Sequence, residues 1–323
     1  MPPWWQKLKP PTKRLLKAIN KLNAPLGAFS ARLRKNLMPA VEYYLFRAKF
    51  ITSRQLHLLG VKKNITPVPQ EIFKTAILER PSGVLWKNHS WHIGNVYLFN
   101  KTQGSFAIGK ITRSSIEKFD ETTGNFIEEE TESSPYTYCV FDLSLGIIAI
   151  ANKPSLSSDI KNIAKKIEKL FSMTYVVTIH NITVEVRPIP DPDGFITSIE
   201  NAHKILKFKA TFRGPNPFDA DEYFQKPMTN YLAKANGEKG ETTIQGSNLN
   251  KNTLIEVAKS TAATGNDATA KIKASPRQKA TTIYLKNNPA KYKFNEDESK
   301  KSILDAMISM YYRVRYDDDG NKN

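Results

Sequence analysis

One cysteine in 323 residues, Cys139, excludes an intrachain disulfide and any cysteine-rich metal cluster. Its position inside the apolar run Tyr136–Phe141 reads as a small hydrophobe buried in a strand, and the missing disulfide framework fits a reducing cytoplasm. No window approaches eighteen apolar residues, so no membrane-spanning helix is expected. The opening residues lack the continuous apolar stretch of a secretory signal. Pro2, Pro3, Pro10 and Pro11 break the amphipathic helix that a mitochondrial leader would need.

Motifs of common enzyme classes are missing as well. There is no Gly-x-x-x-x-Gly-Lys-Ser/Thr, no Gly-x-Gly-x-x-Gly after a strand and no Gly-x-Ser-x-Gly elbow. The five histidines do not gather in sequence. His89 and His92 stand three apart but are flanked by Trp86 and Trp91, which suggests a packed strand or loop, and His180 sits in an alternating pattern that reads as mid-strand. No cofactor, metal or catalytic residue is expected on this basis.

Acidic residues are almost absent from the first sixty-five positions. Glu42 stands there against fourteen Lys and Arg, so this stretch carries +13 of the net +17 and the remaining residues only +4. Surfaces that are merely solvated mix signs, whereas a one-signed stretch implies a polyanionic partner. The candidate nucleic-acid-binding residues are Lys13, Arg14, Lys17, Lys21, Arg32, Arg34, Lys35, Arg47, Lys49, Arg54, Lys62 and Lys63. Their cations would displace counterions from phosphates, and Trp4, Trp5, Phe29, Tyr43, Tyr44 and Phe46 would stack on unpaired bases or pack on the body. DNA is the favoured polyanion, RNA the next. An anionic membrane surface is the rival partner, because residues 13–22 are basic and amphipathic.

Hydrophobic periodicity predicts an α+β protein: a basic helical arm (1–65) followed by two domains of antiparallel sheet plus helix (66–173 and 174–323). In the arm, helices are expected from Thr12 to about Pro25, from Ser30 to about Phe50 with a break at Pro39, and from Thr52 or Ser53 to Gly60. The first domain should hold a helix (Gln70–Leu78), a hairpin (Asn95–Asn100 with Ser105–Ile111), a solvated acidic loop (Asp120–Glu132), a second hairpin (Tyr136–Asp142 with Gly146–Ala151) and a helix (Asp159–Phe171). The second should hold a long strand (Tyr175–Pro188), a helix (Phe195–His203), a strand (Ile205–Phe212), a helix (Asp219–Ala235), a flexible loop (236–250), a helix (Leu254–Ala263), a hairpin (Ala268–Lys273 with Thr281–Lys286) and a last helix (Glu296–Tyr312).

Carboxylates able to hold Mg²⁺ beside a phosphate are sparse. Asp142, Glu185 and the Asp219/Asp221 pair are the candidates for a metal-dependent nuclease toxin, the alternative to a binding protein, although Asp219–Glu222 is better explained as acid at a helix N-terminus.

Gly94-Asn95-Val96-Tyr97-Leu98, Gly104-Ser105-Phe106 and Lys110-Ile111-Thr112-Arg113-Ser114, followed by Cys139–Ala151, the helix after Ser155 and Met310-Tyr311-Tyr312-Arg313, resemble the phage-exclusion family of RexA. That resemblance covers residues 90–315 at most and contains no catalytic motif. It implies a two-domain α+β protein that binds DNA without strong sequence preference, often as a dimer, in phage defence. It does not extend to the basic arm. The leading expectation is therefore a cytoplasmic, non-enzymatic, oligomeric nucleic-acid-binding protein of anti-phage defence. A membrane-surface interaction subunit and a partner defence subunit remain further expectations.

Overall fold

The computed structural model describes residues 40–52, 68–86, 89–214, 221–285 and 289–316. All but one of the described residues belong to a single unit that spans 41–323. The expected helices over 12–25 and 53–60 lie outside the described residues.

The α+β class holds. A nine-stranded sheet runs in the order β13-β1-β7-β6-β4-β3-β2, with β8 also pairing β1 and β5 also pairing β4. Its strands are β1 (Ala40–Thr52), β2 (Ser82–Trp86), β3 (His89–Leu98), β4 (Gln103–Asp120), β5 (Asn125–Ser133), β6 (Tyr136–Asp142), β7 (Ile147–Ala151), β8 (Ile182–Pro188) and β13 (Lys291–Asn295). A second sheet, β10-β9-β11-β12, is built from β9 (Lys204–Phe212), β10 (Gly240–Gln245), β11 (Ala268–Lys273) and β12 (Thr281–Leu285). The large sheet draws β1 from the expected arm and β8 and β13 from the expected second domain, so it crosses both anticipated boundaries.

Strand β1 replaces the second half of the helix expected to end at Phe50. Its residues alternate strictly: Tyr43 and Leu45 enter one core, while Phe46, Ala48 and Phe50 enter the other. Period two decides between strand and helix here, and the β-branched and aromatic content agrees with it. The second core packs α1 (Pro69–Leu78), α2 (Ile160–Ser172) and α3 (Tyr175–Ile179) on one face of the large sheet. The first core joins the opposite face to the small sheet, α4 (Asp193–Glu200), α6 (Lys251–Ala263) and α7 (Lys300–Arg315). Helix α5 (Gln225–Lys234) sits beside β9.

Three further expectations change. Tyr175–Ile179 is helical, with His180 as its C-cap and Asn181 in the left-handed region (φ 49°), so the long strand begins only at Ile182. The acidic stretch is the tip and return strand of a ribbon in which β5 pairs β4 from Thr112–Ser133 to Asp120–Asn125. The Gly- and Thr-rich stretch after 236 contains the edge strand β10. Among the described residues no helix is long and apolar enough to cross a membrane.

Candidate nucleic-acid interface

Two of the candidate cations fall among the described residues, and both are buried. Arg47 and Lys49 are each 2% exposed. Arg47 donates from Nε (3.1 Å) and Nη2 (2.6 Å) to the Ala263 carbonyl at the end of α6, from Nη1 to the Leu145 carbonyl and from Nη2 to the Tyr311 hydroxyl (3.0 Å). It therefore caps a helix C-terminus, where a cation is favoured by the dipole. Lys49 donates to the Arg213 carbonyl (2.9 Å) and to Asn266 Oδ1 (3.4 Å). These two residues are corrected from phosphate contacts to internal struts. The other ten, Lys13, Arg14, Lys17, Lys21, Arg32, Arg34, Lys35, Arg54, Lys62 and Lys63, lie outside the described residues.

A cationic surface that the sequence reading passed over lies on the small sheet. Its inner face carries Ile205, Phe208, Ala210, Ala268, Ala270 and Ile272 into the first core. Alternation turns Lys207, Lys209 and Thr211 of β9 to the outer face, together with Thr269 and Lys271 of β11. A bulge after Lys271 keeps the pattern in step, so Ile272 opposes Ile205 inside and Lys273 opposes Lys204 outside. Lys207 stands directly opposite Lys271. The flanking strands add Thr243 and Gln245 from β10, and Thr282 and the 58%-exposed Tyr284 from β12.

Five lysines thus share this face with one carboxylate, Glu241. Lys209 pairs with it at 2.6 Å. That hydrogen bond, reinforced by the charges of Lys209, Lys239 and Lys207, holds the Glu241 carboxyl below its usual range. Among the described residues no carboxylate lies in ion-pair range of Lys204, Lys207, Lys271 or Lys273. Like charges directly opposite on paired strands destabilise a sheet, by roughly 0.2–1 kcal/mol per pair. The face therefore carries a repulsion that an anionic partner would relieve.

At the end of β9 the same face runs into a cavity of about 340 Å³. Lys161, Arg187, Arg213 and Lys239 line it, together with the carboxylates of Glu185 and Asp267. Strand pairing places Glu185 opposite Lys49 and Arg187 opposite Arg47. Glu185 is 7% exposed and accepts from Arg213 Nη1 and from Arg187 Nη2 (3.3 Å). Beneath the cavity, Asn266 Nδ2 donates to Gln225 Oε1 (3.2 Å) and Thr264 Oγ1 (2.9 Å), which turns its Oδ1 toward Lys49. Burial, with the charges of Arg47, Arg213 and Arg187 overriding the attraction of Glu185, pulls the Lys49 ammonium down to about 7.

Gly265 closes one wall, at a left-handed φ of 66° just beyond α6. A Cβ there would lie 3.2 Å from Arg47 Cβ and 3.4 Å from Arg187 Cβ. Its N–H reaches the Ala262 carbonyl (2.9 Å) and that of Asn266 the Thr261 carbonyl (3.0 Å), which completes the helix end.

The carboxylates considered for a nuclease are not brought together. Asp142 accepts from the Leu145 N–H (2.9 Å) and from Gln103 Nε2 (2.7 Å), shaping the β6–β7 turn. Asp221 accepts from the N–H groups of Tyr223, Phe224 and Gln225 at the start of α5, while Ser260 Oγ donates to its other oxygen. Glu185 is committed to two arginines, and Asp219 lies outside the described residues. Among the described residues no three His, Cys, Asp or Glu side chains could share a metal ion.

The model of a family described as a domain of unknown function, DUF4747, matches residues 64–311. The chain belongs to this family. The DUF4747 span contains the whole lysine face and every charged residue lining the cavity, but not Lys49 or the residues before it. No curated protein matches the chain.

Proposed function

We propose that this DUF4747 protein is a nucleic-acid-binding protein without strong sequence preference, DNA being the favoured strand. The observation that carries this reading is the solvent-facing lysine ladder of the small sheet, where Lys207 opposes Lys271 and Lys204 opposes Lys273. Sequence preference needs base edges read by bidentate side chains in a groove, whereas lysines supply point charges that follow a phosphate backbone. Tyr284, Thr243, Thr269 and Thr282 between the lysines offer one stacking surface and several hydroxyls, a composition suited to single strands.

Outside the described residues, positions 1–39 hold nine Lys and Arg and no acid, and positions 53–67 hold three and no acid. These segments add an electrostatic contribution to the same partner. Placement in anti-phage defence rests on the RexA-like stretches alone. Its test is plaquing efficiency on cells that carry or lack the gene.

Mobility shift with short DNA and RNA, single- and double-stranded, tests the binding reading. Binding of any form that weakens by about 10³-fold between 50 and 200 mM salt is the expectation for roughly six neutralised phosphates. Removing residues 1–39 should weaken it without abolishing it. No binding at 50 mM salt would overturn the reading.

A further inference from the structure

The lysine face and the cavity are continuous. Lys207, Lys209 and Thr211 lie on one side of β9, Thr211 lines the cavity and Arg213 follows two residues on. Lys239 lines the cavity and also acts electrostatically on Glu241, the partner of Lys209. A strand tracking along the ladder would therefore deliver its end to the cavity mouth.

We propose that the cavity between β8, the end of β9 and the turn from α6 to β11 is a binding site for the terminal phosphomonoester of a nucleic-acid strand. This rests on the nucleic-acid reading above and adds the part of the strand that is recognised.

Charge, shape and size carry the inference. The lining holds four cations and two carboxylates, a surplus of two positive charges. An internal phosphodiester brings one negative charge and must leave the site in two directions. A terminal phosphomonoester brings about −1.5 to −2 at neutral pH and leaves in one direction only. It therefore matches the surplus better than a diester does, and as a chain end it needs only one way out of a concave site. A volume of about 340 Å³ lies at the small end of ligand cavities, enough for a phosphate and its sugar. Glu185 does not cancel the site: it accepts from Arg187 and Arg213 and so fixes both guanidiniums at the wall. The side chain of Arg187 remains 54% exposed, leaving its other donors for an anion.

The test uses the full chain and fluorescence anisotropy with one labelled oligonucleotide in four forms: 5′-phosphate, 3′-phosphate, hydroxyl at both ends, and a closed circle. One phosphorylated form should bind at least about tenfold tighter than the hydroxyl-ended and circular forms, the effect of one or two charge-assisted hydrogen bonds. That advantage should fade below about pH 6, where the monoester loses its second charge. Arg187→Gln and Lys239→Gln, both at accessible positions, should lower the affinity of the phosphorylated form far more than that of the hydroxyl-ended form and so remove the advantage. Lys271→Gln should weaken all four forms alike and keep the ratio. Equal binding of all four forms to the unaltered protein would overturn this site while leaving the nucleic-acid reading intact. No binding of any form would overturn that reading itself. A free nucleoside monophosphate that binds as tightly as the strand end would overturn recognition of a strand terminus.

Discussion

Lys207 and Lys271 face each other across β9 and β11 on the outer face of the small sheet, and among the described residues neither has a carboxylate in ion-pair range. The pairing sets stability against binding. Lys271→Glu would exchange a repulsive cross-strand pair for an attractive one, a gain of roughly 0.2–1 kcal/mol in unfolding free energy. The same change should weaken nucleic-acid binding, because it removes one cation and adds an anion. Urea unfolding and anisotropy on one preparation measure both; loss of stability, or unchanged affinity, would contradict the assignment.

The buried ammonium of Lys49 makes stability depend on pH in a defined window. Its pKa falls from 10.5 in the unfolded chain to about 7 in the folded protein. Between these values the unfolded chain holds a proton that the folded chain has released, so stability rises as pH increases through the window and is flat below it. Lys49→Met lacks this contribution. Whatever the sign of its effect at pH 7, the unaltered protein should gain on the variant by on the order of 2 kcal/mol between pH 7 and 9. A difference that does not change with pH would show that Lys49 is hydrated or that its charge is retained.

Gly265 is the backbone position that ties α6 to the cavity wall. Alanine there must adopt a left-handed φ and press against the β-carbons of Arg47 and Arg187. Gly265→Ala should cost about 1–2 kcal/mol from the conformation alone, before the crowding is added. Thermal unfolding measures this, and a variant as stable as the parent would contradict the helix-end geometry.

Much of the fold could be read from periodicity where an element buries one face. α2 carries Ile160, Ile163, Ile167 and Leu170 at helical spacing, and the hairpin of β6 and β7 buries nearly every side chain. What escaped has physical reasons. In β1 the aromatic residues Tyr43, Tyr44 and Phe46 also fit a helical stripe, and burial of Arg47 and Lys49 becomes visible only once Ala263 at the end of α6 and Arg213 beyond β9 supply their carbonyls. β5 is exposed along its length and exists by pairing with β4, so it presents no burial pattern. β10, which has one Gly and two Thr among its six residues, is an edge strand.

The lysine ladder was present in the sequence as alternation, Lys-Phe-Lys in β9 and Lys-Ile-Lys in β11. Summing charge by segment hid it beneath the far larger excess of the first sixty-five residues. Register alone brings the two strands' lysines together, and register is a tertiary fact.

Contact between the small sheet's outer face and a phosphate backbone is the step on which the proposed function depends. Its most direct test is the salt dependence of DNA affinity in the unaltered chain and in the quadruple variant Lys204→Gln, Lys207→Gln, Lys271→Gln, Lys273→Gln. Each lysine that meets a phosphate contributes about one unit to the slope of log affinity against log salt, so the variant should bind more weakly with a slope shallower by about three to four. A quadruple variant that folds and keeps both the parent affinity and the parent slope would contradict the account.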